Sequence, residues 1–427
     1  MIKMRNAAAA AAFHMGASTF RVPMSLHATN RANLAALVLA AVGGSDRGDL
    51  ILLQGADQAE RYDTDNEPLF RQESYFQYLF GVSEGGCYGA IRVSDGAATL
   101  FVPEYGRDYE IFCGKFPTPD EFAAKYEVST AKPVVDLVPW LEQHLKAHKD
   151  ARIHVLQGTN ADSGSSFPQP ALPKPSALVD SRLEASVVYQ TAADARARKS
   201  PQEIELMRYT YWISSMAHVE AMRTTRSGMM EYELESTFLH HCYSKGGMRH
   251  AAYTSICASG PNAAVLHYGH AGRPNNREIK ETDMILLDMG AEYHCYASDI
   301  TNTYPASGKF TDDQRAIYET VQAAQLAVVS AMGPGVSWPD MHRLAERTIL
   351  TGLRDAGVVK GDVDAMLEAD IGAVFMPHGL GHLIGIDTHD VGGYLPGIGK
   401  PRSKRPGLSK LRTGRTLEEG MIITVEP

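Results

Sequence analysis

The sequence predicts two domains of different class: an α/β N-terminal half, and an α+β C-terminal half that carries its chemistry on a sheet. Three observations lead there. Between residues 50 and 180, short apolar runs alternate with helical stretches. At "RKSPQEIELMRY" a strong helix start changes the character of the chain. Beyond it, most of the notable acids and histidines gather in strand-like segments between long helices. A chain of 427 residues has room for two full hydrophobic cores.

Residues 1–16 are expected to be disordered, followed by a surface helix. The longest apolar window, Leu34 to Val42, is too short to cross a bilayer and lies behind Arg31, too deep for a signal-peptide core. No acid precedes Asp46, whereas Lys3, Arg5, Arg21 and Arg31 do, so a transit peptide stands as the alternative to a frayed terminus. The default location is cytoplasmic. Net charge is −9, from 41 Lys and Arg against 50 Asp and Glu, which argues against nucleic acid or membrane as a partner. Five scattered cysteines without a C-x-x-C pair fit reduced thiols better than a disulfide framework.

In the first half, "LILLQG", "CYGAIRV", "ATLFVP" and "RIHVLQG" read as strands. The stretch "SFPQPALPKPSA" fits a linker or a long surface loop equally well. In the second half, Ser200, Pro201 and Glu203 form a helix start with a capping box. A second helix, "EYELESTFLHHCYSKGG", ends at Gly246 and Gly247. A third opens at Thr311 with Gln314 as box partner, and its apolar face is predicted to hold Ile317, Val321, Ala324 and Val328. Met421 to Val425 reads as a buried strand that delivers Glu426 at its end.

Two acids and three histidines stand out. Asp288 ends an apolar run, and Asp299 follows eleven residues later. A turn near Tyr293 and His294 would set the two acids opposite each other across a hairpin. Facing like charges on paired strands are unfavourable, with Cβ atoms only about 4.5–5.5 Å apart, so such a pair calls for a cation. The alternative is two unrelated acids pointing at solvent. "MPHGLGHLIGIDTHDVGG" holds His378, His382 and His389 among glycines, which reads as backbone packed close to a ligand. Its spacing is neither the helical zinc-protease signature nor a dinucleotide loop. Two aspartates, one histidine and Glu426 suit a pair of divalent ions, with Mn²⁺, Co²⁺ and Zn²⁺ all compatible. His267 and His270 follow an apolar run, and seven basic residues fall between Lys400 and Arg415. That basic run reads as a solvated loop, or as the source of one arginine that clamps a substrate carboxylate.

The order Asp288, Asp299, His382, Glu426 resembles the metal-ligand order of the pita-bread metallopeptidases, the methionine aminopeptidase, aminopeptidase P and prolidase group. Within that group, "RQESYFQYLFGV", "GCYGAI", "YELES", "GGMRH", "SDIT", "WPDMHRLA" and "FMPHGLGHLIGIDTHDVGGY" resemble the prolidase (Xaa-Pro dipeptidase) branch, over roughly Phe13 to Pro427.

The resemblance implies an α/β N-terminal domain of the prolidase and aminopeptidase P type over 17–192 and a pita-bread domain over 193–427. It implies hydrolysis of Xaa-Pro dipeptides by a hydroxide shared between two ions, usually Mn²⁺. Asp299 would bridge the ions, Asp288 would chelate one, and His382 and Glu426 would hold the other. His267 and His389 would be catalytic. Arg412 would hold the proline carboxylate, with His378 and Tyr253 also on the substrate. Such proteins are typically homodimers.

In the family a second glutamate, several dozen residues beyond "VEP", bridges both ions where the sheet closes. The sequence stops at Pro427, so the expectation is a truncated domain lacking its last strands, holding at best one ion well and showing little activity. A natural short paralogue, an aminopeptidase P and a non-catalytic pita-bread binding protein are the alternatives.

Overall fold

The run Leu50–Gln54 is apolar at every position but the last, so both of its faces need cover. In the computed structural model, which describes residues 11–270, 272 and 274–427, it lies inside a six-stranded mixed sheet. The strand order is Leu183–Glu184, Ile153–Val155, Leu50–Gln54, Tyr88–Arg92, Ala98–Val102, Thr130–Pro133. Leu50 and Leu52 share a core cluster with Tyr88, Phe101, Ile153 and the helix Leu137–Ala147. That helix presents Leu137, Leu141 and Leu145 at four-residue spacing, one apolar stripe laid on the sheet. The disorder expected for residues 1–16 falls mainly on residues 1–10, outside the described residues.

The proline-rich stretch is a loop of this first unit, not a linker. Tyr88 donates its hydroxyl to the Ala171 carbonyl at 2.7 Å, the Ala171 amide donates to Gln54 Oε1 at 2.8 Å, and Leu172 packs on the core. Leu34 and Val38 are buried on one face of the helix Ser25–Ala41. Among the described residues no helix is long and apolar enough to cross a membrane.

The chain divides into two compact units, residues 1–195 and 196–427. In the second unit, Ser200 caps the helix Pro201–Thr224 through the reciprocal bonds of a capping box with Glu203. Helix Glu231–Gly246 ends on Gly247 in the left-handed conformation. Two three-stranded antiparallel sheets follow. One runs Ile256–Ser259, Met284–Met289, Ile300–Pro305; the other runs His250–Ala251, Ala291–Tyr293, Tyr296–Ala297.

Helices Asp312–Ala331 and Trp338–Asp355 form a third layer over Leu380, Leu411 and Leu417. The face predicted for the first of these helices needs correction. Ala324 and Val328 are buried together with Thr320, but Ile317 and Val321 are 42% and 39% exposed. The packed stripe runs instead through Thr320, whose side chain lies against Gly352 of the neighbouring helix. Met421 to Val425 is extended but forms no regular strand. It touches its neighbours through the isolated bridges Arg198–Met421 and Leu383–Ile423, and its side chains are half-buried.

One buried group makes the first unit acid-sensitive. His27 is fully buried and its ring hydrogen-bonds the Tyr78 carbonyl at 3.1 Å. Burial pushes its pKa down to about 4, the Tyr78 carbonyl opposing and the Arg31 charge assisting. Below its ordinary value near pH 6.5 the unfolded chain binds a proton that the folded chain refuses until about pH 4. Stability therefore falls as pH drops through that window, by roughly 3 kcal/mol in full. Thermal unfolding midpoints measured from pH 7 to pH 4 should decline in the wild type and flatten in His27→Gln.

Candidate active site

The hairpin anticipated between the two acids is present, with His294 and Cys295 both at positive φ in a two-residue turn. The acids are not directly opposite each other. Asp288 faces Thr301 in the ladder, so Asp299, two residues earlier on the same face, sits diagonally across from it. That offset places Cβ atoms farther apart than a direct pair, and leaves space between the carboxylates for a third group. The Tyr253 hydroxyl fills part of it, 2.6 Å from Asp288 Oδ1 and 2.9 Å from Asp299 Oδ1. It can donate to only one of them at a time. Burial and both carboxylates keep this phenol protonated.

The other oxygen of Asp299 faces a different partner. His382 Nε2 lies 3.2 Å from Asp299 Oδ2 and 3.1 Å from Glu426 Oε1. Donor atoms of Asp299, His382 and Glu426 all fall within 4.8 Å of one another. The imidazole is oriented for this role. His382 Nδ1 hydrogen-bonds the Leu383 carbonyl at 3.0 Å, which fixes its proton there and turns Nε2 toward the acids.

Electrostatics matches the geometry. Burial, then the charges of Asp299 and Glu426, raise the Asp288 pKa to about 7. Burial alone would lower His382, but the two carboxylates outweigh it and raise its pKa to about 10. Glu426 moves the other way: burial works to raise its pKa, and the His382 hydrogen bond and charge bring it below the ordinary value.

Backbone contacts bring Glu426 to this place. The Thr424 amide donates to the His382 carbonyl at 3.0 Å, and the Glu426 amide to the Leu380 carbonyl at 2.7 Å. The two chains are so close that a Cβ on Gly381 would stand 2.0 Å from the Thr424 oxygen. A Cβ on Gly393 would likewise stand 2.1 Å from the Arg412 oxygen. Of the glycines in "HGLGHLIGIDTHDVGG" that read as room for a ligand, Gly379, Gly381 and Gly393 make room for neighbouring backbone, and Gly385 for the side chains of Asp390 and Lys199.

His389 packs edge-to-face on His382, ring centres 4.5 Å apart. It is partly open to solvent, yet loss of hydration, then the positive charges of His382 and Arg412, lower its pKa. The charge of His267, itself exposed, also weighs on His389, so His267 and Arg412 each lie within electrostatic reach of His389. His378 lies near enough for its charge to help lower Glu426, and its Nδ1 approaches the Gly379 carbonyl at 2.9 Å.

The solvated-loop reading of the basic run holds only in part. Lys400, Lys404 and Lys410 are exposed. Arg402 stacks on Tyr394 and donates to the Leu411 carbonyl, Arg405 pairs with Asp370, and Arg415 is buried against Gly392 and Glu418.

Sequence reasoning missed the support beneath the loop between His382 and His389. Asp390 is buried and accepts from Arg196 at 2.7 Å and from Lys199 at 2.9 Å, and Arg196 also pairs with Asp387 at 2.7 Å. The signal was available in the basic "ARARKS" and in the acid beside His389, but nothing in the spacing joins them.

A model of metallopeptidase family M24 matches residues 205–427, and a model of the aminopeptidase P N-terminal domain matches residues 27–154. This chain belongs to metallopeptidase family M24. A human Xaa-Pro dipeptidase is 48% identical over 421 residues, 99% of this chain and 83% of the relative. A probable Xaa-Pro aminopeptidase of Phaeosphaeria nodorum is 35% identical, over 90% of this chain and 78% of its own length. Zinc-substituted aminopeptidase P of Escherichia coli in complex with product superimposes with a TM-score of 0.75 at 28% identity, over 95% of this chain and 86% of that one. The architecture is thus that of M24: an aminopeptidase P-type N-terminal domain followed by a pita-bread domain.

The donor set fits a divalent cation. It offers hard carboxylate oxygens and one imidazole, and Glu426 Oε1 is buried without a well-aligned hydrogen bond although His382 Nε2 is near. Because His382 is protonated near neutral pH, a cation reaching Nε2 must displace that proton. Calorimetric titration with Mn²⁺ at pH 7.5, in buffers of different protonation enthalpy, should show release of about one proton per ion bound at this cluster. Gly381→Ala, by forcing Thr424 away from His382, should weaken that binding by at least about tenfold.

Proposed function

We propose that this protein is a metal-dependent Xaa-Pro dipeptidase whose ions are held by Asp288, Asp299, His382 and Glu426. The carrying observation is the divided use of Asp299: Oδ1 faces Tyr253 and the side of Asp288, and Oδ2 faces His382 and Glu426. A carboxylate placed so is suited to bridge two ions, with Asp288 on one and the His382–Glu426 pair on the other. Mn²⁺ is the ion we assign. Divalent ions there would acidify water toward neutral pH and polarise a carbonyl.

The chain's own residues account for the substrate class. An Xaa-Pro bond has no N–H, so recognition must rest on the free carboxylate and on the shape of the ring. Arg412 carries a fixed charge beside His389 and offers a planar pair of donors for a carboxylate on the second residue. His389, held uncharged by its surroundings, and His267 present ring N–H groups. Those donors can steady a developing oxyanion and the departing proline nitrogen, each worth roughly 3–4 kcal/mol when well placed. Tyr253 holds Asp288 and Asp299 at their spacing.

The relative of the aminopeptidase type supports a second reading, in which the substrate is longer and the amino end is what is read. Substrate length separates the two. With Mn²⁺ supplied, Gly-Pro should bind at least about tenfold more tightly than Gly-Pro-Gly and be preferred by the same factor in release of the amino-terminal glycine. Arg412→Ala should erase most of that preference. Equal or better use of the tripeptide by the wild type would favour the aminopeptidase.

A further inference from the structure

One buried carboxylate collects donors from along the loop that carries His267. Glu231, first residue of the helix Glu231–Gly246, is fully buried. Its Oε1 accepts from the Ser259 amide at 2.7 Å, the Ser259 hydroxyl at 2.6 Å and Asn262 Nδ2 at 3.2 Å. Its Oε2 accepts from the Tyr268 hydroxyl at 2.8 Å and the Arg277 amide at 3.1 Å. These donors come from the start, the middle and the end of one excursion, residues 259–277. The Glu231 amide also donates to the Arg277 carbonyl at 3.0 Å, which fixes the carboxylate relative to the loop's far end.

Packing alone does not hold the working part of this excursion. Val265 and Leu266 are 45% and 53% exposed, and His267 is exposed beside them. Tyr268, the next residue, is 3% exposed and packs with Ile256 and Ala258 on the sheet strand. The backbone position of His267 is therefore coupled to that of Tyr268, the residue directly after it, whose hydroxyl ends on Glu231.

We propose that Glu231, acting through Tyr268, is a positioning residue for His267. It sets the loop so that the imidazole meets the substrate in one orientation, without touching substrate itself. The proposal rests on the role given to His267 above. A group fixed in advance loses little freedom in the transition state, and a small misplacement of such a group is costly in rate.

Tyr268→Phe tests this gently, because the ring keeps its place in the apolar cluster and only the hydroxyl is lost. In the Mn²⁺-loaded full chain, kcat for Gly-Pro should fall about tenfold with KM little changed and the thermal midpoint retained. In a His267→Ala background the same change should have almost no further effect. Glu231→Gln, which replaces an acceptor oxygen by a donor, should act in the same direction. Equal losses in both backgrounds, or no loss in the wild type, would overturn the proposal. If His267→Ala by itself leaves kcat unchanged, the assigned role of His267 fails instead. The anchor is then judged by ring NMR signals of His267, which must change in position or width in Tyr268→Phe for it to stand.

Discussion

The candidate site hangs on the carboxylate of Asp390. Buried with the side chains of Arg196 and Lys199, it ties the chain just before the helix Pro201–Thr224 to the loop that ends in His389. With Asp387 also on Arg196, two cations meet two carboxylates, and the cluster is neutral. Breaking one partner of such a group strands a buried charge, at a cost of about 3–5 kcal/mol. The Asp390 amide also closes the loop onto the Leu383 carbonyl, and the Gly385 carbonyl accepts from Ala297, two residues before Asp299. One ion cluster therefore fixes the loop from His382 to His389 and, through the hairpin, its distance to Asp299.

Around that anchor the site gathers more negative charge than the protein alone neutralises well. Asp288, Asp299 and Glu426 share one imidazole and one phenol. An apolar interior would reject such a set, and a surface would dilute it. Its placement on the face of a sheet, beside the Tyr253 and His389 rings, is the condition under which divalent ions are both needed and reachable.

The two histidines assigned to the substrate share a mode of support. Each is exposed while the residue after it is buried and tied: His389 precedes Asp390, and His267 precedes Tyr268. A reactive ring must remain open to its ligand, so the burial that would order it is moved one residue along the chain. Packing energy is thereby converted into placement of the imidazole without closing the site.

The sequence alone determined the elements and the donor list. Capping boxes at Ser200 and Thr311 are local chemistry, and they start helices where they were read. Apolar runs around residues 50, 90, 100 and 153 became strands because each satisfies its own pleat. Spacing could not settle register or what the glycines face. A shift of the hairpin by one or two residues leaves composition unchanged, yet it decided that Asp288 meets Thr301 and only diagonally Asp299. The contact of Gly381 with Thr424, the pairing of Asp390 with Arg196 and Lys199, and the reach of Glu231 to Tyr268 join residues between 37 and 194 positions apart. Those distances closed only when the chain packed, because burial sets a polar group's partner by proximity in space and sequence carries no record of it.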